Sequence, residues 1–391
     1  MGFHIDNASA PADDSLEGVI AQAKLLADVV IGLGHLGVDP SSSPWTSEEV
    51  IAHTSGFDAF IDGHSHTVME NKQVQDASGK AVTLTQTGSY FANVGEMTIA
   101  ADGTITTKLI PTHEGMDAGI AAMQTGWVNT VDDMLGEKIA VGDSDFYVSD
   151  PATGKRRIRS AETNLGDFVA DGIYTYFNEV EKLHCDVAIM NGGGIRADVP
   201  AGDWTFKTCK QVSPFGNVAC LMSVTGKQIQ DALEFAARFA GEDGKENGGF
   251  LQVAGATYEI HTDIPNTVQT DEKNVWIGSA TGTPRVQNVK IYDKASGSYL
   301  PLDPGATYAL AGMNYTLRNL GDGFAMFDGA ELIKDYVSED YLVMSTYAMI
   351  FDGADAAGLP HLSSANSPLA AYPGYLLNYE QPYGAGRITI L

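Results

Sequence analysis

The amino-acid sequence predicts a mixed α/β and α+β fold arranged in about two domains. Two apolar runs, residues 29–33 and 57–61, each lead into a glycine and a histidine, a pattern typical of buried strands in an α/β layer. Later stretches alternate between apolar and polar residues, which favours antiparallel strands. The length of 391 residues is enough for two domains with sizeable cores.

Three histidines follow the two apolar runs: His35 after the first, and His64 and His66 after the second. If the runs are parallel strands, their carboxyl ends meet at one edge of the sheet, where α/β proteins place their sites. Three imidazoles there would surround one or two divalent ions, and imidazole suits zinc, manganese, iron or nickel. A single histidine after a strand is more often a core or surface residue. Three in this arrangement favour metal ligands.

The remaining elements follow from periodicity and capping signals. Residues 15–26 have helical spacing behind Asp13 and Asp14, and residues 46–49 have the spacing of a capping box. Asp102 and Gly103 predict a hairpin. Antiparallel strands are predicted at 82–88, 95–100 and 105–110, and a connecting helix at 116–135. Further strands are predicted at 139–141, 185–190 and 218–224, and helices from 164 and at 226–239.

The net charge of −27 narrows the class of partner. Such a surface repels nucleic-acid backbones and anionic membranes, so a nucleic-acid partner is excluded. A small phosphate ester is compatible if cations are concentrated in one cleft. The charge equally fits solubility or adaptation to a salty or host environment.

The cysteines and the hydropathy exclude further classes. Cys185, Cys209 and Cys220 are odd in number and form no Cys-x-x-Cys pair, which argues against a disulfide framework or a structural zinc site. No run has the length of a membrane span. Residues 1–6 lack the basic and apolar regions of a signal peptide.

A cluster of cations in this acidic chain indicates an anion site. Three glycines, residues 192–194, follow an apolar strand and precede Arg196, which would hold a guanidinium beside exposed backbone amides and suit a phosphate or carboxylate. A triple glycine alone commonly marks a tight turn. Arg159, just before the helix from residue 164, is assigned the same anion role. For Arg156 and Arg157 a solvated loop is an equally good interpretation.

Two aromatic residues lie among turn residues: Phe215 and Tyr315. Aromatic side chains on loops usually complete a core, but a facing pair clamps a planar base, with base stacking contributing about 1–3 kcal/mol per base. Asn217 and Asp322 would then bind the base edge or the ribose hydroxyls. Arginines for phosphate, aromatics for a base and a histidine-bound metal together describe a nucleotide phosphoesterase.

Five ordered motifs resemble the 5′-nucleotidase family. They are Leu-Gly-His-Leu-Gly at 33–37, Asp-Gly-His-Ser-His at 62–66, Asn-Gly-Gly-Gly-Ile-Arg at 191–196, Pro-Phe-Gly-Asn at 214–217 and Gly-Asp-Gly-Phe at 321–324. The resemblance implies part of a calcineurin-like metallophosphoesterase α/β sandwich at residues 1–112. It also implies a linker helix at 113–137 and a C-terminal substrate-specificity domain at 138–391.

The resemblance also assigns roles to individual residues. His35 and His64 resemble ligands of one metal ion and His66 a ligand of the other, with zinc, manganese or a similar divalent ion as cofactor. The residues that match substrate contacts comprise phosphate-binding cations, a ribose or phosphate contact, a base contact, a base-stacking pair and a ribose-binding acid: Lys155, Arg159, Arg196, Asn191, Asn217, Phe215, Tyr315 and Asp322. Residues 316–320 depart from the family's shorter glycine-rich version at this point.

The family's Asp-x-His strand end and its Asn-His-Glu or Asn-His-Asp turn, which supplies the catalytic histidine, are absent upstream of His35. The order His4-Ile5-Asp6 does not replace Asp-x-His. We therefore assign no catalytic residue, and expect the chain to begin midway through the catalytic domain and to lack part of the dimetal centre.

The leading hypothesis is a 5′-nucleotidase-type hydrolase, with a nucleotide or nucleoside as ligand and an extracellular or cell-surface location. Alternatives are a non-catalytic nucleotide-binding module, a 2′,3′-cyclic phosphodiesterase, and a UDP-sugar or NAD pyrophosphatase. An unrelated α/β protein would require five coincidences in order.

Overall fold

The structure, a computed structural model, describes residues 15–112, 115–242 and 245–391. The chain forms two compact units, Met1–Asp117 and Ala118–Leu391. Asp13, Asp14 and the segment His4-Ile5-Asp6 lie outside the described residues.

The described part of the first unit contains two α-helices and six strands. In chain order these are α1 (Leu16–Leu26), β1 (Ile31–Leu33), α2 (Ser47–Ala52), β2 (Ala59–Ile61), β3 (Val68–Gln75), β4 (Ala81–Thr87), β5 (Asn93–Ile99) and β6 (Ile105–Pro111).

Both helices of the first unit begin at side chains that cap them. The Ser15 hydroxyl accepts the backbone N–H of Gly18 at 3.1 Å. Thr46 and Glu49 form the reciprocal capping box that the sequence predicts, each accepting the other's backbone N–H. Such a cap stabilises a helix by about 1 kcal/mol.

Four strands form one sheet in the order β1-β2-β4-β3, and β5 and β6 form a separate antiparallel hairpin. The hairpin turn at Asp102 and Gly103 is confirmed. The prediction that residues 82–88 form only antiparallel pairs is wrong, because β4 pairs in parallel with β2 and antiparallel with β3. Strand β3 was not predicted, since its sequence Val-Met-Glu-Asn-Lys-Gln-Val-Gln is mostly polar and no residue in it is buried.

The core of the first unit lies between α1, α2 and the parallel strands. Phe60 is 4% exposed, and its ring lies so close to Gly32 that a Cβ at that position would come within 2.3 Å of it. The same core contains Ile20, Val30, Val50, Ile51, Phe57, Val82 and Leu84. Gly32 is therefore required by the approach of β1 to the Phe60 ring.

The described part of the second unit contains six further α-helices. These are α3 (Ala118–Leu135), α4 (Asn164–Thr175, continued by a π-helical turn at Tyr176–Val180), α5 (Phe206–Val212), α6 (Gly226–Ala236), α7 (Asn314–Leu317) and α8 (Asp340–Met349). Three of them, α3, α4 and α6, correspond to helices that the sequence predicts.

Its strands begin with β7 (Lys138–Gly142), β8 (Val187–Asn191), β9 (Gly202–Thr205), β10 (Ala219–Thr225), β11 (Leu251–Ala254), β12 (Ala256–Ile260) and β13 (Gln269–Thr270). They continue with β14 (Trp276–Gly278), β15 (Val286–Asp293), β16 (Ser298–Pro301), β17 (Thr307–Met313), β18 (Glu331–Lys334), β19 (His361–Leu362) and β20 (Ile388–Ile390).

A five-stranded sheet in the order β11-β8-β17-β10-β18 forms the centre of the second unit. Both faces of this sheet are covered. Ala188 and Met190 belong to a core shared with α4 and α8, whereas Val187 and Ile189 belong to a core shared with α6. The period of two along β8 thus explains why residues 187–191 are all buried.

Two smaller sheets and a hairpin complete the second unit, in the orders β16-β15-β12-β20, β19-β7-β9 and β13-β14. Cys185, Cys209 and Cys220 are buried and free, and burial raises the pKa of the Cys209 and Cys220 thiols to about 12. Within the described ranges, no helix combines the length and the apolar character needed to cross a membrane.

Candidate functional site

Two of the histidines predicted as metal ligands lie at the carboxyl edge of the β1–β2 pair. The parallel register sets Leu33 opposite Ile61, so the loops after the two strands run side by side. The imidazole rings of His35 and His64 consequently lie 5.2 Å apart between centroids, at 72° to each other. Both side chains are exposed.

A buried carboxylate, Asp62, ties these two loops together. It accepts the backbone N–H groups of Leu36 and Gly37 at 2.8 and 3.0 Å, and the side-chain amide of Gln86 at 3.0 Å. Because Asp62 lies two residues before His64, the loop after β1 is fixed to the loop after β2. Sequence reasoning gave Asp62 no role, although an aspartate between a strand and a glycine is a signal for such a turn.

The second histidine loop has a left-handed backbone. His64 has φ 74° and His66 has φ 55°, a conformation that costs a non-glycine residue about 1 kcal/mol. The His66 ring lies 6.1 Å from the Tyr90 ring between centroids. In the described ranges, no three His, Cys, Asp or Glu side chains converge as a metal-binding group. The neighbouring imidazoles of His35 and His64 nevertheless suit a divalent ion such as zinc.

The glycine turn after β8 allows neighbouring segments of the chain to pack closely against it. The expectation that it exposes backbone amides is wrong for Gly192 and Gly193, whose N–H groups donate to the carbonyls of Phe250 and Gly248, each at 2.7 Å. A Cβ on Gly192 would come within 2.3 Å of the Ile158 carbonyl oxygen. The turn must therefore be glycine so that the segment before Arg159 can lie against it.

Two of the predicted site residues, Asn191 and Tyr315, donate hydrogen bonds to the carboxylate of a third, Asp322. The Asn191 side-chain amide donates to Asp322 Oδ2 at 3.1 Å, and the Tyr315 hydroxyl donates to Oδ1 at 3.0 Å. The Tyr315 ring covers Gly321, where a Cβ would lie 2.5 Å from it. Burial and the nearby Asp322 carboxylate raise the pKa of the Tyr315 hydroxyl. Asn191, Tyr315 and Asp322 thus come from two distant segments to one point.

The two arginines assigned to an anion lie in the same region of the second unit. Burial, with the positive charges of Arg156 and Arg196, lowers the pKa of Arg159 to about 10, while Glu246 and Asp322 oppose this shift. The Arg159 side chain is only 16% exposed. Arg196 donates to the Gly193 carbonyl at 3.3 Å. A cluster of guanidinium groups in a poorly hydrated position is suited to an anionic ligand.

Phe215 and Tyr315 each present a ring to solvent. Phe215 is 59% exposed and Tyr315 is 37% exposed. The Arg196 guanidinium carbon lies 5.6 Å from the centroid of the Phe215 ring. Arg196, which is predicted to bind an anion, and one predicted stacking residue are therefore neighbours.

Two residues that sequence reasoning missed fix the loop that carries Phe215. Asn314 accepts the Val218 N–H through its side chain at 2.9 Å and donates its own N–H to the Val218 carbonyl at 2.8 Å. Asp340 accepts the Asn217 N–H at 3.1 Å. An asparagine beside Tyr315 and an aspartate at a helix start were the available signals.

The other basic residues of the 155–159 cluster have different environments. Lys155 is exposed. Arg156 forms an ion pair with Glu246 at 2.7 Å. The solvated-loop interpretation is wrong for Arg157, which donates to the Glu162 carbonyl at 2.8 Å and lies 4.8 Å from the centroid of the Tyr383 ring. Arg157 is therefore a structural residue.

Comparison with known proteins agrees with this fold. Residues 140–329 match the family model of the 5′-nucleotidase C-terminal domain.

The curated relatives extend the similarity towards the N-terminus. The trifunctional nucleotide phosphoesterase protein YfkN of Bacillus subtilis is 28% identical over an alignment of 352 residues, and the alignment covers 87% of this chain and 21% of that protein. An apyrase of Tabanus yao is 26% identical over an alignment of 381 residues, which covers 88% of this chain and 63% of the apyrase. The chain thus spans about a fifth of the length of YfkN and less than two thirds of the length of the apyrase.

A solved structure confirms the predicted fold class. The 5′-nucleotidase precursor from Thermus thermophilus superimposes with a TM-score of 0.66 at 22% identity, over 96% of this chain and 67% of that protein. At this identity the likeness concerns the fold. The mixed α/β and α+β architecture predicted from the sequence is therefore correct.

Proposed function

We propose that the second unit binds a nucleotide and that the chain takes part in metal-dependent hydrolysis of its phosphate ester. The observation that carries this proposal is the meeting of Asn191, Tyr315 and Asp322 at one carboxylate, with Arg159 close enough to interact electrostatically with Asp322. The names of the relatives, a nucleotide phosphoesterase and an apyrase, support it.

Each group in this site matches one part of a nucleotide. Arg159 and Arg196 bind the phosphate, with Lys155 as an outer cation. Asp322 accepts hydrogen bonds from the ribose hydroxyls, and Asn191 orients that carboxylate. Phe215 and Tyr315 stack on the base, whose edge Asn217 contacts.

In the first unit, His35, His64 and His66 would hold a divalent ion such as zinc or manganese. When bound, such an ion polarises a phosphate and activates a water molecule for attack. Asp62 keeps the His35 and His64 loops together for this purpose. Because the chain lacks the Asp-x-His and Asn-His-Glu motifs, we propose that it holds only part of a dimetal centre and hydrolyses nucleotides weakly or not at all by itself.

A non-catalytic nucleotide-binding module is the second candidate. It is favoured by one observation, that the contacts on which the nucleotide proposal rests all lie in the second unit. For either candidate we propose an extracellular or cell-surface location, in keeping with the family resemblance.

The test is a calorimetric titration of the purified chain with AMP, UMP and adenosine, with and without zinc or manganese, and an assay of phosphate release from the same samples. We expect AMP to bind, and Arg196→Ala to weaken it about tenfold or more, since a charged hydrogen bond contributes about 1.5–3 kcal/mol. Metal-dependent release at a substantial rate would show that a complete catalytic site is present. Failure of every nucleotide to bind would refute both candidates.

A further inference from the structure

A carboxylate of the chain lies between two arginines at the proposed phosphate site. One oxygen of Glu246, Oε2, is 2.7 Å from Arg156 Nε and 3.9 Å from Arg159 Nη1. We propose that Glu246 is an internal competitor for the anion at Arg159 and sets the anion selectivity of the site. This inference rests on the proposed function and specifies what controls its phosphate-binding step.

The distances make Glu246 a weak competitor at Arg159 and a closer ion-pair partner of Arg156, and neither Arg156 Nε nor Glu246 Oε2 has a hydrogen-bond partner among the described residues. At 3.9 Å the carboxylate attracts Arg159 without forming a hydrogen bond, which requires about 2.7–3.2 Å. Arg159 Nε is buried and has no hydrogen-bond partner among the described residues. A phosphate oxygen that bonds directly to this guanidinium therefore gains an interaction that Glu246 does not make.

The charges around Arg159 explain why the competition selects among anions. The guanidinium groups of Arg156 and Arg196 and the carboxylates of Glu246 and Asp322 all act on Arg159. An anion that enters next to Glu246 meets a carboxylate that already offsets part of the positive charge. Compared with a monoanion, a dianion is attracted about twice as strongly by the guanidinium groups and repelled about twice as strongly by Glu246. Glu246 thereby weakens phosphate binding more than it weakens the binding of singly charged anions, and so lowers the preference of the site for dianions.

A matched pair of variants isolates this effect. Glu246→Gln removes the competing charge, and Glu242→Gln removes the same charge from a neighbouring carboxylate that pairs with Lys245 at 2.5 Å. The intact chain and both variants are titrated with inorganic phosphate, acetate, AMP and adenosine at one pH and salt concentration. We expect Glu246→Gln to bind phosphate about two- to fivefold more tightly, the range for a partly exposed ion pair. Acetate binding should improve by a smaller factor, because a monoanion is repelled less by Glu246 than a dianion is, and adenosine binding should not change.

A second variant keeps the inference testable if Glu246→Gln folds poorly. Arg156→Gln releases Glu246 from its partner, which lets the carboxylate approach Arg159, so phosphate binding should weaken. Adding Glu246→Gln to Arg156→Gln should restore part of the affinity, since the competitor is then gone. Thermal melts of all variants report whether each is folded.

Unchanged or weaker phosphate binding by folded Glu246→Gln would overturn the inference, as would an equal gain in Glu242→Gln. Absence of phosphate binding in every protein would overturn it too. Failure of the proposed function is a separate result: AMP and adenosine then bind to no variant, while the phosphate titrations still compare Glu246→Gln with the original chain.

Discussion

At the scale of single residues, Asp322 is the point where the candidate nucleoside contacts converge. Its backbone is left-handed at φ 55°, as is that of Leu320 at φ 56°. Such conformations cost a non-glycine residue of order 1 kcal/mol and persist where the surroundings hold them. Here the side chains of Asn191 and Tyr315 hold the carboxylate. The strained backbone of Asp322 is therefore found together with a fixed orientation of its carboxylate.

We expect Asp322→Asn to weaken adenosine binding by about tenfold while the melting temperature changes little. Asparagine tolerates the left-handed backbone, but it replaces a charged acceptor with a neutral amide. Calorimetry and thermal unfolding of the same samples would measure both effects. Asp328→Asn, an exposed change in the same segment, is the control. Equal adenosine affinity in the two variants would contradict the ribose-binding role of Asp322.

At the scale of elements, the two aromatic loops are joined by Asn314 at the start of α7. Its two bonds to Val218 connect the residue before Tyr315 to the loop that carries Phe215. Asp340 at the start of α8 holds the same loop through Asn217. The backbone positions of Phe215 and Tyr315 are thus set in part by the starts of α7 and α8.

Asn314→Ala should weaken AMP binding by about three- to tenfold and lower the free energy of unfolding by about 1–3 kcal/mol. The substitution leaves the Val218 N–H without its acceptor. Asn314→Asp retains an oxygen at this position and should keep most of the affinity. Calorimetry with AMP and denaturant titration would test this, and equal affinities of Asn314→Ala and the original chain would refute the coupling.

The pH dependence of stability should include a contribution from Asp340. Burial raises the pKa of this carboxyl from its ordinary 3.8 to about 6. The folded chain then binds the proton more tightly than the unfolded chain, so the free energy of unfolding falls as pH rises from about 4 to about 6. Denaturant titrations across this range should show a smaller decrease for Asp340→Asn. Parallel curves for the two proteins would argue against it.

At the scale of the whole molecule, a buried ionic network joins distant parts of the second unit. The Arg387 guanidinium is fully buried and lies 2.7 Å from Asp171 on α4. Glu162 accepts the backbone N–H groups of Gly386, Arg387 and Ile388. These bonds hold β20, which pairs in parallel with β12, against the start of α4.

Arg387→Met should lower the free energy of unfolding of the second unit by about 3–5 kcal/mol, because it leaves the buried Asp171 carboxylate without its cation. Lys294→Met, which removes an exposed ion pair with Glu179, should cost about 1 kcal/mol or less. Denaturant titration by circular dichroism, with hydrogen exchange of Ile388–Ile390, would measure the difference. Equal losses in both variants would show that the network contributes little.

The sequence predicted elements whose signals are local. The strands before His35 and His64 have apolar runs, and the cap at Thr46 depends on residues three apart. It did not predict β3, whose polar side chains show no period, or the contact of Asn191 with Asp322, residues 131 positions apart. The Arg387 network was missed for the same reason, since Asp171 and Arg387 are 216 positions apart. Partners at such separations are set by the sheet order and leave no pattern in either segment.

The burial of Arg159 also determines which partner would change charge in the proposed complex with a nucleotide phosphate. With a pKa of about 10, this guanidinium keeps its proton throughout the neutral range. A phosphate monoester loses its second proton at about pH 6. Between mildly acidic and neutral conditions the ligand titrates and Arg159 does not. In the proposed complex, the proton that is gained or lost in this pH range therefore belongs to the phosphate group and not to Arg159.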